Sequence, residues 1–134
     1  MSTANRKPDF IVPFTCESTT VSEGAVLVVG SADNAVALPA GADPDPASVN
    51  LIGLAKDALT AAGTLDVVTS GIFPGIAAAS ITRGQPLTVA DTSGGVKPAA
   101  PSAGNNVACI GTALESASSG ERVAILVRPF ALQG

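Results

Sequence analysis

Histidine, tryptophan and tyrosine are absent from this chain of 134 residues, and phenylalanine occurs only four times. Without an imidazole, Ser-His-Asp and Cys-His nucleophiles and most catalytic zinc sites are excluded. Without indole or phenol rings there is no aromatic platform for a sugar, which disfavours a carbohydrate-binding face. Cysteine is limited to Cys16 and Cys109, a lone pair that reads as two buried thiols rather than a disulfide framework or a metal set. Charge is sparse as well: seven Lys and Arg against 11 Asp and Glu, a net charge of −4. Only Arg6 and Lys7 are adjacent, so the cluster of cations that a nucleic-acid groove needs is missing. The weakly polar stretch 71–81 is too short to cross a bilayer and contains Pro74, so no membrane span is expected. No apolar run of signal-peptide length follows residues 1–9, so no export signal is expected. Gly94-Gly95-Val96-Lys97 lacks the spacing of a phosphate loop, and no cofactor is expected.

What is present is aliphatic. Hydrophobic residues make up 46% of the chain and charged residues 13%. One domain is expected at this length, with a core of Ala, Val, Leu and Ile. So much apolar side chain against so little charge points to a surface covered by a partner, most simply other copies of the chain or a larger assembly.

The strongest pattern is an internal echo. Val21-Ser22-Glu23-Gly24-Ala25-Val26-Leu27-Val28-Val29 matches Ile81-Thr82-Arg83-Gly84-Gln85-Pro86-Leu87-Thr88-Val89 in the order of apolar, hydroxyl, Gly, Leu and Val types. Leu51-Ile52-Gly53-Leu54-Ala55 then answers Cys109-Ile110-Gly111-Thr112-Ala113, and Gly63 answers Gly120. The offset drifts from 60 to 57, as loops of different length would cause, and predicts one unit of about 55–60 residues used twice.

Along the chain, residues 1–15 read as an extended N-terminal arm and 16–134 as a single β domain, with repeat one at about 20–75 and repeat two at about 80–130. Pro13 bars the segment Phe10-Ile11-Val12-Pro13-Phe14 from a central strand but allows an edge. Phe10, Ile11, Val12 and Phe14 are the candidate partner-binding residues. Runs such as Leu27-Val28-Val29 and Ala35-Val36-Ala37-Leu38 read as strands, separated by the turn at residues 30–34. Residues 51–62 also satisfy helical spacing. Their counterpart carries Gly111 and Thr112 where a short helix would suffer, so a strand over 53–59, a turn over 60–64 and a return strand over 65–72 are expected. The clearest strand is 123–128. Short strands punctuated by Gly and Pro predict an all-β fold, a compact antiparallel β-barrel or sandwich built from two pseudo-symmetric repeats with an extended N-terminal arm.

Two acidic positions could carry chemistry. Asp91-Thr92-Ser93-Gly94-Gly95 is near the turn of an aspartic protease, but the counterpart of Asp91 is Ser31, and without a second carboxylate a shared-proton dyad could arise only across a dimer axis. A hairpin turn is expected there instead. Asp43 and Asp45 are held extended by Pro44 and Pro46 with no further oxygen ligands in calcium-loop spacing, so they read as a solvated loop.

The apolar-x-x-Gly-x-x-Leu-x-Val opening at 21–29 and 81–89, joined to the close from Ile110-Gly111-Thr112-Ala113 through Gly120 to 123–127, resembles bacteriophage head decoration, or capsid cement, proteins. The resemblance covers roughly residues 20–130. It implies a small β-rich virion structural protein with no catalytic residues, attached to the outer surface of an assembled capsid of major capsid protein, commonly as a symmetric oligomer. The expected self-association is a trimer at local threefold positions, with a dimer as the alternative, and the stretch 10–14 packing on an adjacent chain. A tail, baseplate or fibre component or receptor-binding module is the rival reading, and an aspartyl hydrolase at Asp91 the remote one.

Overall fold

Short Val- and Leu-rich runs broken by glycine turns favour strands over helices, and the computed structural model, described over residues 6–134, contains nine strands and no helix. They are β1 (Lys7–Cys16), β2 (Val26–Val29), β3 (Ala35–Ala37), β4 (Leu51–Ala55), β5 (Gly63–Ile76), β6 (Pro86–Val89), β7 (Val96–Pro98), β8 (Asn106–Ala113) and β9 (Arg122–Gln133). One sheet joins them in the order β1-β3-β2-β4-β5-β9-β8-β6-β7. The fold is all-β, as expected.

An additional β1–β5 pairing returns the first five strands on themselves. Direction cannot alternate around an odd-numbered circuit, so one pair must be parallel. That pair is β1 with β3, through Thr15↔Ala35 and Cys16↔Val36, and it makes the sheet mixed where antiparallel pairing alone was expected. The second set, β5-β9-β8-β6-β7, returns towards the end of β5 by a single parallel bridge, Ala77↔Val96.

β5 belongs to both sets. Its first half pairs with β1 and β4, and its second half, from Gly71 to Ile76, pairs with β9. The strand therefore runs past the expected end at Ile72. Gly71 stands at the changeover with φ +103, and a β-carbon there would collide with the β1 backbone at Pro8 and Asp9. Glycine is required by both the angle and the close approach.

The two sets share their register. Leu27↔Gly53 on β2 and β4 has the counterpart Leu87↔Gly111 on β6 and β8, and a bulge follows each pair on the same side. Leu54↔Val68 corresponds to Thr112↔Leu126, and the bridge Val21↔Leu59 to Ile81↔Ala117. Gly24 and Gly84 open the units with φ of 84° and 93°.

Packing divides into two clusters. Cys16, Val21, Ala25, Leu27, Val36 and Val67 pack together inside the first set. The larger cluster draws on both sets, with Val26, Leu54 and Phe73 against Leu87, Ile110 and Ile125. Successive β2 residues thus alternate between clusters, so both faces of this strand are buried. Contacts cross in both directions: Val26 donates its N–H to the Gly94 carbonyl, and Ala108 donates to the Pro44 carbonyl.

Candidate functional site: an exposed apolar edge

β1 pairs with β5 along its length, but on its other side it meets β3 only at Thr15 and Cys16. Residues 7–14 are therefore a sheet edge. The N–H of Thr15 donates to Asn34 on that β3 side, and strand alternation turns the nitrogen of Pro13 the same way. Proline is tolerated because the donor it lacks would have pointed away from β5. The segment is extended, as expected, and lies along this chain's own sheet; Met1–Asn5 of the expected arm lie outside the described residues.

Of the four residues expected to bind a partner, the edge brings three together in the open. Phe10 is 63% exposed, Ile11 41% and Val12 36%. Phe14 is half-buried against the first cluster. Large apolar groups exposed side by side on a short edge are the unusual feature of this surface.

The strand is held at both ends. At its start, the Arg6 guanidinium lies 5.3 Å from the centroid of the Phe73 ring and pairs with Glu23 at 2.9 Å. Arg122 adds a hydrogen bond to the Glu23 carbonyl. Just past its end, the Glu17 carboxylate accepts from the Ser31 N–H (2.9 Å), the Ser31 hydroxyl and the Ala32 N–H (3.0 Å). These bonds, those from Ser31 foremost, hold the Glu17 carboxyl below the usual carboxylate range. They tie β1 to the β2–β3 turn.

A second exposed apolar surface escaped the sequence reading. β9 pairs with β5 only as far as Val127, and beyond that with β8 alone. Phe130, on this extension, is 39% exposed. Beside it runs a groove of about 300 Å³ lined by Pro46, Val49, Leu51, Pro129, Phe130 and Ala131. Its signal was the dipeptide Pro129-Phe130, which repeats Pro13-Phe14 in a second apolar stretch.

The polar candidates are absorbed locally. Asp91 accepts from the Ser93 and Gly95 N–H groups, both at 3.0 Å, and so caps its own turn. Asp43 pairs with Lys97 at 2.7 Å, and Asp45 accepts from the Ala47 N–H at 2.9 Å. Cys16 and Cys109 are buried free thiols, and burial pushes the Cys109 thiol up to about 11. A thiol so protonated at neutral pH is a poor nucleophile.

The architecture is similar to that of a crystal structure of the head fiber gp8.5 N base in bacteriophage phi29, at 17% identity and a TM-score of 0.61 over 89% of this chain and 93% of that one. No curated protein matches the chain. The phage cement protein family matches residues 7–129, from the first residue of β1 to the extension of β9. That span takes in both strand sets and the exposed edge, and the chain belongs to the phage cement protein family.

Proposed function

We propose that this protein binds the outer surface of an assembled phage capsid and stabilises it by bridging major capsid protein subunits, acting as a homo-oligomer with a trimer preferred. Family membership gives a structural role associated with the capsid. The observation that carries the finer reading is the exposed row of Phe10, Ile11 and Val12 on an open edge. Fully burying an exposed residue of this kind contributes about 1.5–3 kcal/mol, and with 63%, 41% and 36% of their surface still open these three would each contribute part of that to a contact covering them. The matched register of the two strand sets supports an origin in one duplicated unit, and the carboxylates and thiols singled out above are engaged in turns, an ion pair or the core rather than gathered at one site.

Deleting residues 2–14 would strip most of β1 from β5, so point substitutions on the exposed edge test the reading better. Purified Ile11→Lys and Val12→Lys chains are compared with wild type for co-sedimentation with empty heads. Retention weakened at least tenfold, with an unchanged melting temperature, supports the proposal. Undiminished retention removes the edge from capsid binding.

A further inference from the structure

Two exposed apolar surfaces sharing no residue stand on this chain: the β1 edge, with Phe10, Ile11 and Val12, and the groove beside the β9 extension, lined by Pro46, Val49, Leu51 and Phe130. One is a strand edge that leaves three successive apolar side chains exposed, Ile11 and Val12 on opposite faces. The other is concave. The groove, at about 300 Å³, exceeds the roughly 150 Å³ apolar cavity that accepts a benzene molecule, so it has room for a phenyl ring and part of a neighbour.

Each surface carries both signs in positions that can pair crosswise: Lys7 and Asp9 on the β1 edge, Asp45 and Arg128 beside the groove. Asp9 precedes Phe10 directly, and Arg128 stands two residues before Phe130. Both are exposed, and neither has an ion-pair partner among the described residues, where the salt bridges are Arg6–Glu23, Lys56–Asp57 and Lys97–Asp43. The prolines fix the mode of contact. Pro13 turns its nitrogen to the open side of β1. On β9, Gly134 donates to Asn105 on the β8 side, so alternation back along the strand places the nitrogen of Pro129 on the open side too. Each open edge lacks a donor where a continued ladder would need one, which opposes sheet-to-sheet fusion and leaves side chain into groove as the way to join.

We propose that the β1 edge of one copy docks into the β9 groove of a second copy, Phe10 entering beside Phe130 and Asp9 meeting Arg128. The contact is heterologous, using different surfaces on the two copies, and successive copies close into a ring when the rotation permits. This rests on the self-association within the proposed function and names the receiving surface; the β1 edge then supports head retention through the oligomer, by joining copies that hold the capsid together.

The test is the oligomeric state of the full chain by sedimentation velocity, with Phe10→Asp and Phe130→Asp variants checked for unchanged circular dichroism and melting. The wild type is expected to form a closed oligomer. Each variant alone is expected to be monomeric, because each loses one of the two surfaces. Their equimolar mixture is expected to give a heterodimer, since one intact β1 edge and one intact groove remain to meet. Asp9→Arg and Arg128→Asp should each weaken association at least tenfold, and the double variant should recover most of the loss. A monomeric wild type, a Phe130→Asp chain that assembles as wild type does, or a mixture without heterodimer would overturn the inference. Head binding measured in parallel separates the two claims: head binding intact without self-association sinks this inference and the homo-oligomer but leaves capsid attachment standing, and self-association without head binding sinks only the capsid reading.

Discussion

At the scale of single residues, small groups in fixed places do what large side chains do elsewhere. Glu17 is the clearest, an exposed carboxylate whose acceptor oxygens gather the β2–β3 turn onto the end of β1. Its folded pKa is depressed, so it contributes stability above its unfolded value near 4.5, and the contribution is lost as the pH falls through the lower folded value. Glu17→Gln is expected to be less stable than wild type at pH 7 and to approach it as the pH drops below 4, measured by urea unfolding at both values. An equal gap at both would show that the charge is irrelevant. Cys109 acts in the opposite direction. With its thiol pushed up to about 11, it should resist an alkylating reagent at pH 8 in the native protein and react within minutes in denaturant, as followed by mass spectrometry. Rapid native labelling of Cys109 would contradict its burial.

At the scale of elements, the strand pairs depend on two glycines. A β-carbon at Gly53 would run into the Val68 carbonyl, and one at Gly111 into the Leu126 carbonyl; each glycine sits opposite a leucine just before a bulge. Gly111→Ala must push β8 from β9 and is expected to destabilise by roughly 2 kcal/mol, as overpacking does, read from the midpoint of chemical denaturation. Gly53→Ala should cost a similar amount, and a neutral result at either position would show that the register there is misassigned. The strands here were legible early, because Gly53 and Gly111 fall at the same point of a recurring pattern and disfavour a short helix, although β4 ends at Ala55 and not at the expected residue 59. The strand edge at Pro13 was legible too, since a missing donor has few places to sit. The parallel β1–β3 pair was not, because it follows from closing an odd-numbered circuit and has no local signature. Nor was the continuation of the return strand expected over 65–72 into the longer β5, where Gly71 looks like any other turn glycine. The groove at Phe130 is assembled from residues 46–51 and 129–131, far apart in the chain, and pattern alone does not bring such segments together.

At the scale of the whole molecule, a chain with one fully buried phenylalanine, Phe73, a half-buried Phe14 against the first cluster and mainly aliphatic packing has a core of modest area per residue. Of its exposed large apolar side chains, three lie together on the β1 edge and Phe130 stands by the β9 groove, while Val29 and Leu114 stand apart from both. Both features suit a protein that works by being pressed between larger neighbours. A ligand that binds only the assembled shell stabilises that shell by RT ln(1 + [L]/Kd), about 2.7 kcal/mol per site at a hundred times Kd. Several such sites joined through one oligomer hold more tightly than their separate contacts. The most direct measurement is therefore the disruption temperature of purified empty heads titrated with this protein, alongside its binding to unassembled capsid subunits. The disruption temperature is expected to rise with occupancy and level off at saturation, with no measurable binding to free subunits. An unchanged disruption temperature on fully occupied heads, or equal affinity for free subunits, would contradict that expectation.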